Sequence, residues 1–586
     1  MLKIFKYLRK KEWTLIIISF LLIVSQVWLD LKIPDYMAEI TKLVQTSGNN
    51  FKAILNQGLF MLLCTLGSVI LTIIISFFSA RIASVFAKNL RSKLFSKVNS
   101  LSMKEINQFS SASLITRSTN DITQIQILIM MSLQIIIKAP IMASLALVKI
   151  SGKGLEWSLL TLFAVLILIT FITAILIFVL PKFKQMQELT DELNKVTKEN
   201  LSGLRVIKAY NADSFQEEKF NKVNTKLTNT KLYTSRSMVL LMPLMSLVMS
   251  SLSLFIYWIG AYLIAYSNAP DALTIFSNMV VFSSYAIQVI MSFMMLGIVF
   301  IMIPRASISA KRINEVLKTI PSIFDGPLTK GKDHLQGEIE FRNVSFKYYE
   351  NSEYVLKDLN FTIKKGETFA FIGPTGAGKT TLVNLIPRFF DVTEGEVLVN
   401  GINVKDYVSK TLYNKIGYVS QKALLFQGTV NFNVSYGENE NQEKTPKMIK
   451  EAIEIAQGKD FVLAMKNQYE EEIARGGTNI SGGQKQRLSI ARAICHQPEI
   501  YIFDDSFSAL DYKTERLLKK ALKEKSKDIT TLIISQRIGS IIDADQIIVL
   551  DEGKIVGKGT HQELLNNCQV YQEIAISQLN EKELML

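Results

Sequence analysis

Two stretches of this sequence carry residues whose types and spacing could do chemistry. In the first, the apolar run ending at Phe371-Ile372 leads into Gly373-Pro374-Thr375-Gly376-Ala377-Gly378-Lys379-Thr380-Thr381. This fits G-x-x-x-x-G-K-[ST] placed between a strand and a helix, the context in which that pattern has a mechanism. Gly373, Gly376 and Gly378 let the backbone N–H groups of the loop, those of Thr375, Ala377 and Thr381 included, wrap phosphate oxygens. Lys379 neutralises charge on the β- and γ-phosphates, and Thr380 offers a hydroxyl to Mg²⁺. The second stretch runs from Asn479 to Asp511. Its turn, Ser481-Gly482-Gly483-Gln484, opens a helix and can present backbone N–H groups and a helix N-terminus to a phosphate. An apolar strand, Ile500 to Phe503, then delivers Asp504 and Asp505, two carboxylates that can serve a metal and a water.

These residues need a sheet and helices to hold them. From Ile339 onward, short strands, turns and helices alternate, which predicts an α/β domain over 338–586. A polar linker with Pro321, Gly326, Pro327 and Gly331 occupies 321–337. Residues 1–320 read differently. An alternation of apolar and basic residues over 1–11 suits a short helix lying in a membrane interface. Apolar runs follow at about 12–33, 53–79, 125–149, 155–180, 238–267 and 271–303, with Pro34, Pro181 and Pro304 closing the first, fourth and sixth. Each reaches the ~20 residues needed to cross a bilayer core. The fold expected is therefore a membrane all-α domain of six transmembrane helices fused to an α/β nucleotide-binding domain.

Charge sets the orientation. Residues 81–120 carry seven Lys/Arg and one Glu, and residues 181–237 carry eleven Lys/Arg and seven Asp/Glu. The intervening linkers on the other side are short and poor in basic residues. The positive-inside rule then places both termini and the α/β domain in the cytoplasm. The net charge of +14 is read the same way, and nucleic acid is not an expected partner. Helical stripes such as Ile82, Val85, Phe86, Leu90 and Leu94 predict that the second to fifth membrane helices extend into the cytoplasm. Polar breaks near Gln108–Asp121 and Ala209–Phe220 mark the far tips, where docking elements are expected. Cys64, Cys495 and Cys568 are scattered and fit neither a zinc site nor a disulfide framework.

In this order the motifs resemble those of an ATP-binding-cassette exporter half-transporter, over essentially the whole chain. The resemblance assigns further roles. Tyr348, in V-S-F-K-Y-Y, resembles the aromatic that stacks on adenine, with Tyr349 as the fallback. Gln421, in Y-V-S-Q, resembles the glutamine that touches Mg²⁺ and faces the membrane domain. Thr380, Gln421 and Asp504 would then hold the metal. Ser481–Gln484 resembles the signature that closes over the ATP of a second cassette, and Ser508–Asp511 and Ile534–Arg537 resemble the segments after it. What the resemblance implies is ATP-driven alternating access, with paired cassettes closing head to tail around ATP and Mg²⁺.

The sequence departs from the family pattern at two catalytic positions. Asp505 stands where most members have the glutamate that polarises the attacking water. Gln536 stands where they have the switch histidine. Arg475 also replaces a common Glu ahead of the signature. Asp505 and Gln536 together resemble the slowly hydrolysing subunit of heterodimeric bacterial multidrug exporters, whereas Ser481–Gln484 is intact. The expected partner is a different half-transporter that carries the Glu and the His. The expected setting is a bacterial cytoplasmic membrane, with membrane lipid and a small amphipathic or hydrophobic substrate, drugs first. A homodimeric lipid or drug flippase and an ATP-gated membrane regulator are the alternatives. Met242, Met245, Met249, Phe255, Phe293, Met294, Met295 and Phe300 are read as cavity or packing residues with equal weight.

Overall fold

The computed structural model describes residues 6–45, 51–151, 155–266, 268–438, 443–525 and 528–578. It divides into two compact units: Met1–Asn99 with Ser110–Thr319, and Ser100–Phe109 with Ile320–Leu586.

The first unit is helical. It contains α1 (Lys10–Gln45) and α2 (Phe51–Asn99). After α3 (Met103–Phe109), which belongs to the second unit, come α4 (Ser111–Thr116), α5 (Ile122–Met131) and α6 (Lys138–Ser151). Then follow α7 (Leu155–Ser202), α8 (Leu204–Ala209), α9 (Asp213–Val239), α10 (Leu241–Ala265) and α11 (Ala269–Lys318). Wider π-helical turns at Arg117–Asp121 and Ser132–Ile136 join α4, α5 and α6. Among the described residues, six helical stretches are long and apolar enough to cross a membrane.

Pro34, Pro181 and Pro304 do not end their helices; each lies inside α1, α7 or α11. An interior proline costs roughly 3 kcal/mol. Unwinding a helix in an apolar environment would free several backbone groups at several kcal/mol each, so the helix runs on. The interface segment also differs from expectation where it is described. Residues 1–5 lie outside the described residues, Lys6 and Tyr7 form a 3-10 turn, and the α-helix starts only at Lys10. There the Arg9 N–H donates to Glu12 Oε2 at 2.6 Å. The two polar breaks hold left-handed residues, Ser110 (φ 58°) between α3 and α4 and Asn211 (φ 51°) between α8 and α9.

Charged groups cross-link these apolar helices. Lys138 Nζ of α6 lies 3.1 Å from Asp30 Oδ2 of α1, and Ser68 of α2 donates to the other Asp30 oxygen. Lys149 Nζ pairs with Asp35 Oδ2 at 2.8 Å, and the Tyr285 hydroxyl of α11 donates to Asp35 Oδ1 at 2.7 Å. Lys138 and Asp30 are half-buried, and removing one partner of such a pair is worse than removing both, because it strands a charge. We therefore expect Lys138→Met to cost about 1–2 kcal/mol, between the values for exposed and buried pairs, and Asp30→Asn with Lys138→Met to recover most of that. Thermal unfolding in detergent checks this; equal midpoints for the single and double variants would show that the pair bears no load. Further along the same helices, Arg117 Nη1 donates to Arg312 O at 2.6 Å and Ser309 Oγ to Asp121 Oδ1 at 2.8 Å, fixing the end of α11 against the α4–α5 segment.

The second unit is built on sheets. β1 (Ile339–Phe346), β2 (Leu356–Ile363), β4 (Glu394–Val399) and β5 (Ile402–Asn403) form an antiparallel sheet in the order β2-β1-β4-β5. The central sheet has the order β12-β11-β3-β10-β9-β6, from β3 (Thr368–Ile372), β6 (Ile416–Val419), β9 (Ile500–Asp504), β10 (Thr530–Ile534), β11 (Gln546–Asp551) and β12 (Lys554–Gly559). It is parallel except for β12 at its edge. Two short strands, β7 (Gly428–Thr429) and β8 (Glu472–Ile473), pair separately.

Alternation along the central strands makes two cores. Phe369, Phe371, Ile502 and Leu532 pack with β1, β2, β4 and α12 (Lys379–Leu385). Ala370, Ile372, Phe503 and Ile533 face the other way, onto helices. Those helices are α14 (Val430–Val434), α15 (Pro446–Ile455), α16 (Lys459–Leu463), α17 (Gly482–Cys495), α18 (Tyr512–Lys525), α19 (His561–Asn567) and α20 (Gln569–Gln578); α13 (Ser409–Asn414) packs on the first side. Strands buried on both faces explain the unbroken apolar runs read from the sequence. The Pro/Gly stretch before β1 is laid down on this unit. Gly326 N donates to Tyr407 O at 2.9 Å and Arg388 Nη1 to Phe324 O at 2.9 Å. A Cβ on Gly326 would sit 2.2 Å from the Asp406 carbonyl carbon. The Ser102 hydroxyl, just before α3, bonds that of Ser322 at 2.7 Å.

Candidate nucleotide site

Parallel register brings the chemistry together. Ile534 of β10 pairs with Phe371 of β3 on one side and with Asp504 of β9 on the other, and Val419 of β6 pairs with Phe503. The C-terminal ends of four adjacent strands thus lie in a row, the usual ligand edge of an open α/β sheet. A cleft of about 270 Å³ lies there, lined by Thr375, Gly376, Gly378, Lys379, Thr380 and Thr381 after β3. Gln421 after β6, Asp504 and Asp505 at the end of β9, and Gln536 after β10 complete it, with Val355 and Ile534.

The loop geometry follows from its glycines. Gly376 and Gly378 take φ of 92° and 94°, which would strain an L side chain. The helix starts at Lys379, earlier than Leu382 where the apolar run begins, so Lys379, Thr380 and Thr381 form its first turn. Lys379 is buried, and its ammonium donates to the carbonyls of Gly373 and Pro374 at 2.7 and 2.8 Å. Thr380 Oγ1 donates to Asp504 Oδ1 at 3.0 Å, and Tyr418 donates to Asp504 Oδ2 at 3.4 Å. Gln421 Nε2 donates to Asp505 Oδ2 at 3.2 Å. Asp505 itself sits at φ 46°, a sharp exit from the strand, and its N–H donates to Ile534 O at 3.0 Å.

Burial dominates the electrostatics. It pushes the Asp504 carboxyl up, against hydrogen bonds from Thr380 and Tyr418 that pull it down. It also pushes Asp505 up, against the hydrogen bond from Gln421 and the charges of Arg537 and Lys379. It pushes the Lys379 ammonium down, against both carboxylates. Each group is therefore short of counter-charge, which a bound metal and phosphates would supply. The donor set, a hydroxyl, an amide oxygen and one or two carboxylates, consists of hard oxygens suited to Mg²⁺ shared with phosphate. No group of three or more His, Cys, Asp and Glu side chains that could hold a metal is found among the described residues.

Not every expected residue lines the cleft. Gly373 contributes its carbonyl to Lys379, and Ala377 is buried. Tyr348 is half-buried beside the loop; its hydroxyl shares a hydrogen bond with Thr381 Oγ1 at 2.9 Å, and its ring packs edge-on against Phe346 and Phe390. Tyr349 is exposed. Ser481–Gln484 lies outside the cleft, as the N-terminus of α17. There Gln484 N donates to Ser481 Oγ at 3.3 Å and Ser481 N to Gln484 Oε1 at 2.9 Å, a complete capping box. Ser481 and Gly482 are exposed. Ser508 Oγ donates to Asp505 O at 2.8 Å, and Asp511 caps α18 through Thr514 N at 2.9 Å. The sequence pattern does not single out Tyr418, which lies on β6 three residues before Gln421.

The comparisons agree with this architecture. The ABC transporter transmembrane region model matches residues 16–293, and the ABC transporter model matches residues 356–508. An uncharacterized ABC transporter ATP-binding protein of Mycobacterium tuberculosis is 37% identical over 518 residues, 88% of this chain and 86% of its own length. The chain belongs to the ABC transporter family. A second such ABC transporter protein, from Bacillus subtilis, is 37% identical over 86% of both chains. A putative multidrug export ATP-binding/permease protein of Staphylococcus aureus is 44% identical over 239 residues, 41% of each chain. The structure of a bacterial Atm1-family ABC exporter with ATP bound shares the fold, with a TM-score of 0.80, 23% identity, and coverage of 97% of this chain and 98% of that one. This ABC transporter chain thus fuses a multi-pass membrane domain to one ATP-binding domain, with the fold of an ABC exporter.

Inside that membrane domain the methionines and phenylalanines named above divide. Met245, Met249, Phe293 and Met294 pack into the helical core, whereas Met242, Phe255 and Met295 are exposed. The Phe300 side chain lies outside the described residues.

Proposed function

We propose that this chain is the slow-site subunit of a heterodimeric exporter that moves an amphipathic or hydrophobic small molecule out across a bacterial cytoplasmic membrane. The observation that carries the reading is a contrast within one domain. Asp505 and Gln536 face the same cleft as Lys379 and Thr380, so both departures from the family pattern fall on the chain's own ATP. The Ser481–Gln484 helix start is exposed and fully capped, so what serves a second cassette is intact.

In this reading each residue has a task. Loop N–H groups and Lys379 hold the triphosphate of ATP. Tyr348, held beside the loop by its bond to Thr381, stacks on adenine. Thr380, Gln421 and Asp504 would hold Mg²⁺, which would supply positive charge against the phosphates. Asp505 is the general base candidate, but one methylene short. A 1 Å misplacement can cost on the order of 100-fold. Gln536 can hydrogen-bond the γ-phosphate but carries no charge to stabilise its transfer. The site binds ATP well and cleaves it slowly. The N-terminus of α17 meanwhile offers its free N–H groups to the ATP of the partner cassette. The segments around Ser110 and Asn211 pass cassette closure to the membrane helices. The inclusion of Ser100–Phe109 in the same compact unit as the cassette supports this. Drugs are the first substrate class, in line with the name of the Staphylococcus aureus relative and with the exposed Met242, Phe255 and Met295.

The test is the ATPase rate of the purified chain alone against that of the complex isolated from its native membrane. A much faster complex, containing a second half-transporter, is expected. An equal rate from the chain alone would mean a homodimeric exporter instead.

A further inference from the structure

We propose that Gln578, on the last helix, is a positioning residue that holds the switch segment so that Gln536 faces the cleft. Gln578 Nε2 donates to Gln536 O at 2.8 Å, and Ile538 N donates to Gln578 Oε1 at 2.9 Å. One side-chain amide thus grips the backbone on both sides of Arg537, using an acceptor and a donor as a neighbouring strand would. The sheet holds the start of the segment, where Ser535 N donates to Phe371 O at 3.2 Å, and a local turn follows in which Arg537 N donates to Ser535 Oγ at 2.9 Å. With the backbone fixed before and after it, residue 536 has only its side chain left to orient, and that side chain lines the cleft.

The grip is anchored. Tyr571 and Ala575 of α20 are fully buried in the helical core of this unit. Tyr571 OH lies 2.7 Å from His561 Nδ1, and Gln572 Nε2 donates to Leu565 O at 2.6 Å. Residues 571, 575 and 578 recur at helical spacing, so the face that docks α20 also carries Gln578 to the switch. Sequence alone hides this, because 536 and 578 are distant in the chain and an exposed glutamine near a helix end ordinarily reads as a solvated amide.

The inference rests on the role given to Gln536 above, and the test separates the two. In the native complex, retention of radiolabelled ATP with Mg²⁺ on this chain is followed after dilution, with thermal stability measured alongside. Gln578→Ala is expected to shorten retention about tenfold, with little change in thermal midpoint. Gln578→Glu, which keeps the acceptor for Ile538 N but loses the donor, should fall between. In a Gln536→Ala background, Gln578→Ala should add nothing. If this chain proves to hydrolyse ATP rapidly, the slow-site reading fails, but Gln578→Ala must then lower kcat with KM for ATP nearly unchanged. The positioning role is overturned if retention and kcat both stay within twofold of wild type, or if Gln578→Ala acts equally in the presence and absence of the Gln536 side chain.

Discussion

Gly483→Asp is expected to lower ATP turnover of the complex by about 100-fold while leaving this chain folded. Gly483 is the second residue of α17, behind the Ser481 cap. A Cβ there would meet Ala509 O at 3.2 Å, so the backbone at Ala509 must give by a few tenths of an ångström. A carboxylate in the first turn suits the helix dipole. With that adjustment, local structure tolerates the change. What it does not tolerate is a phosphate arriving at the same helix start, because the new charge repels it where the free N–H groups would have bound it. Loss of turnover without loss of thermal stability, measured on the purified complex, is the expected pair of results. Unchanged turnover would remove Ser481–Gln484 from any catalytic interface.

The second large effect runs the other way. Asp505→Glu combined with Gln536→His is expected to raise single-turnover hydrolysis at this chain's own site by about 100-fold. Asp505 now stops at Gln421 Nε2, 3.2 Å away, and its backbone turns sharply at φ 46°, so one more methylene extends the carboxylate into the cleft. Histidine at 536 adds a group that can be cationic near neutral pH. Asp505→Asn should slow the complex only modestly, because in the proposed heterodimer the partner's site performs most of the turnover. A large loss from Asp505→Asn, or no gain from the double change, would mean that the two sites are reversed.

The cleft was legible in the sequence because its parts are local. A glycine loop between strand and helix, or two carboxylates after an apolar strand, can be read within a dozen residues, and a parallel sheet then gathers the strand ends. Six apolar runs were legible for the same reason. What escaped depends on distance or on competition. Lys138 meets Asp30, and Gln578 meets Gln536, across long stretches of chain that no periodicity connects. Pro34 and Pro304 looked like helix ends because the local cost of proline is visible in sequence, while the larger cost of unwinding among apolar neighbours is not. Tyr348 could be placed near the loop, but not its bond to Thr381.

The division of labour is tested most directly by asking which nucleotide each chain holds after one turnover. The native complex is loaded with radiolabelled, photoreactive ATP and Mg²⁺, allowed one cycle and crosslinked; the chains are then separated. We expect intact ATP on this chain, at Lys379 and its loop, and ADP on the partner. ADP on both chains in equal measure would contradict the account.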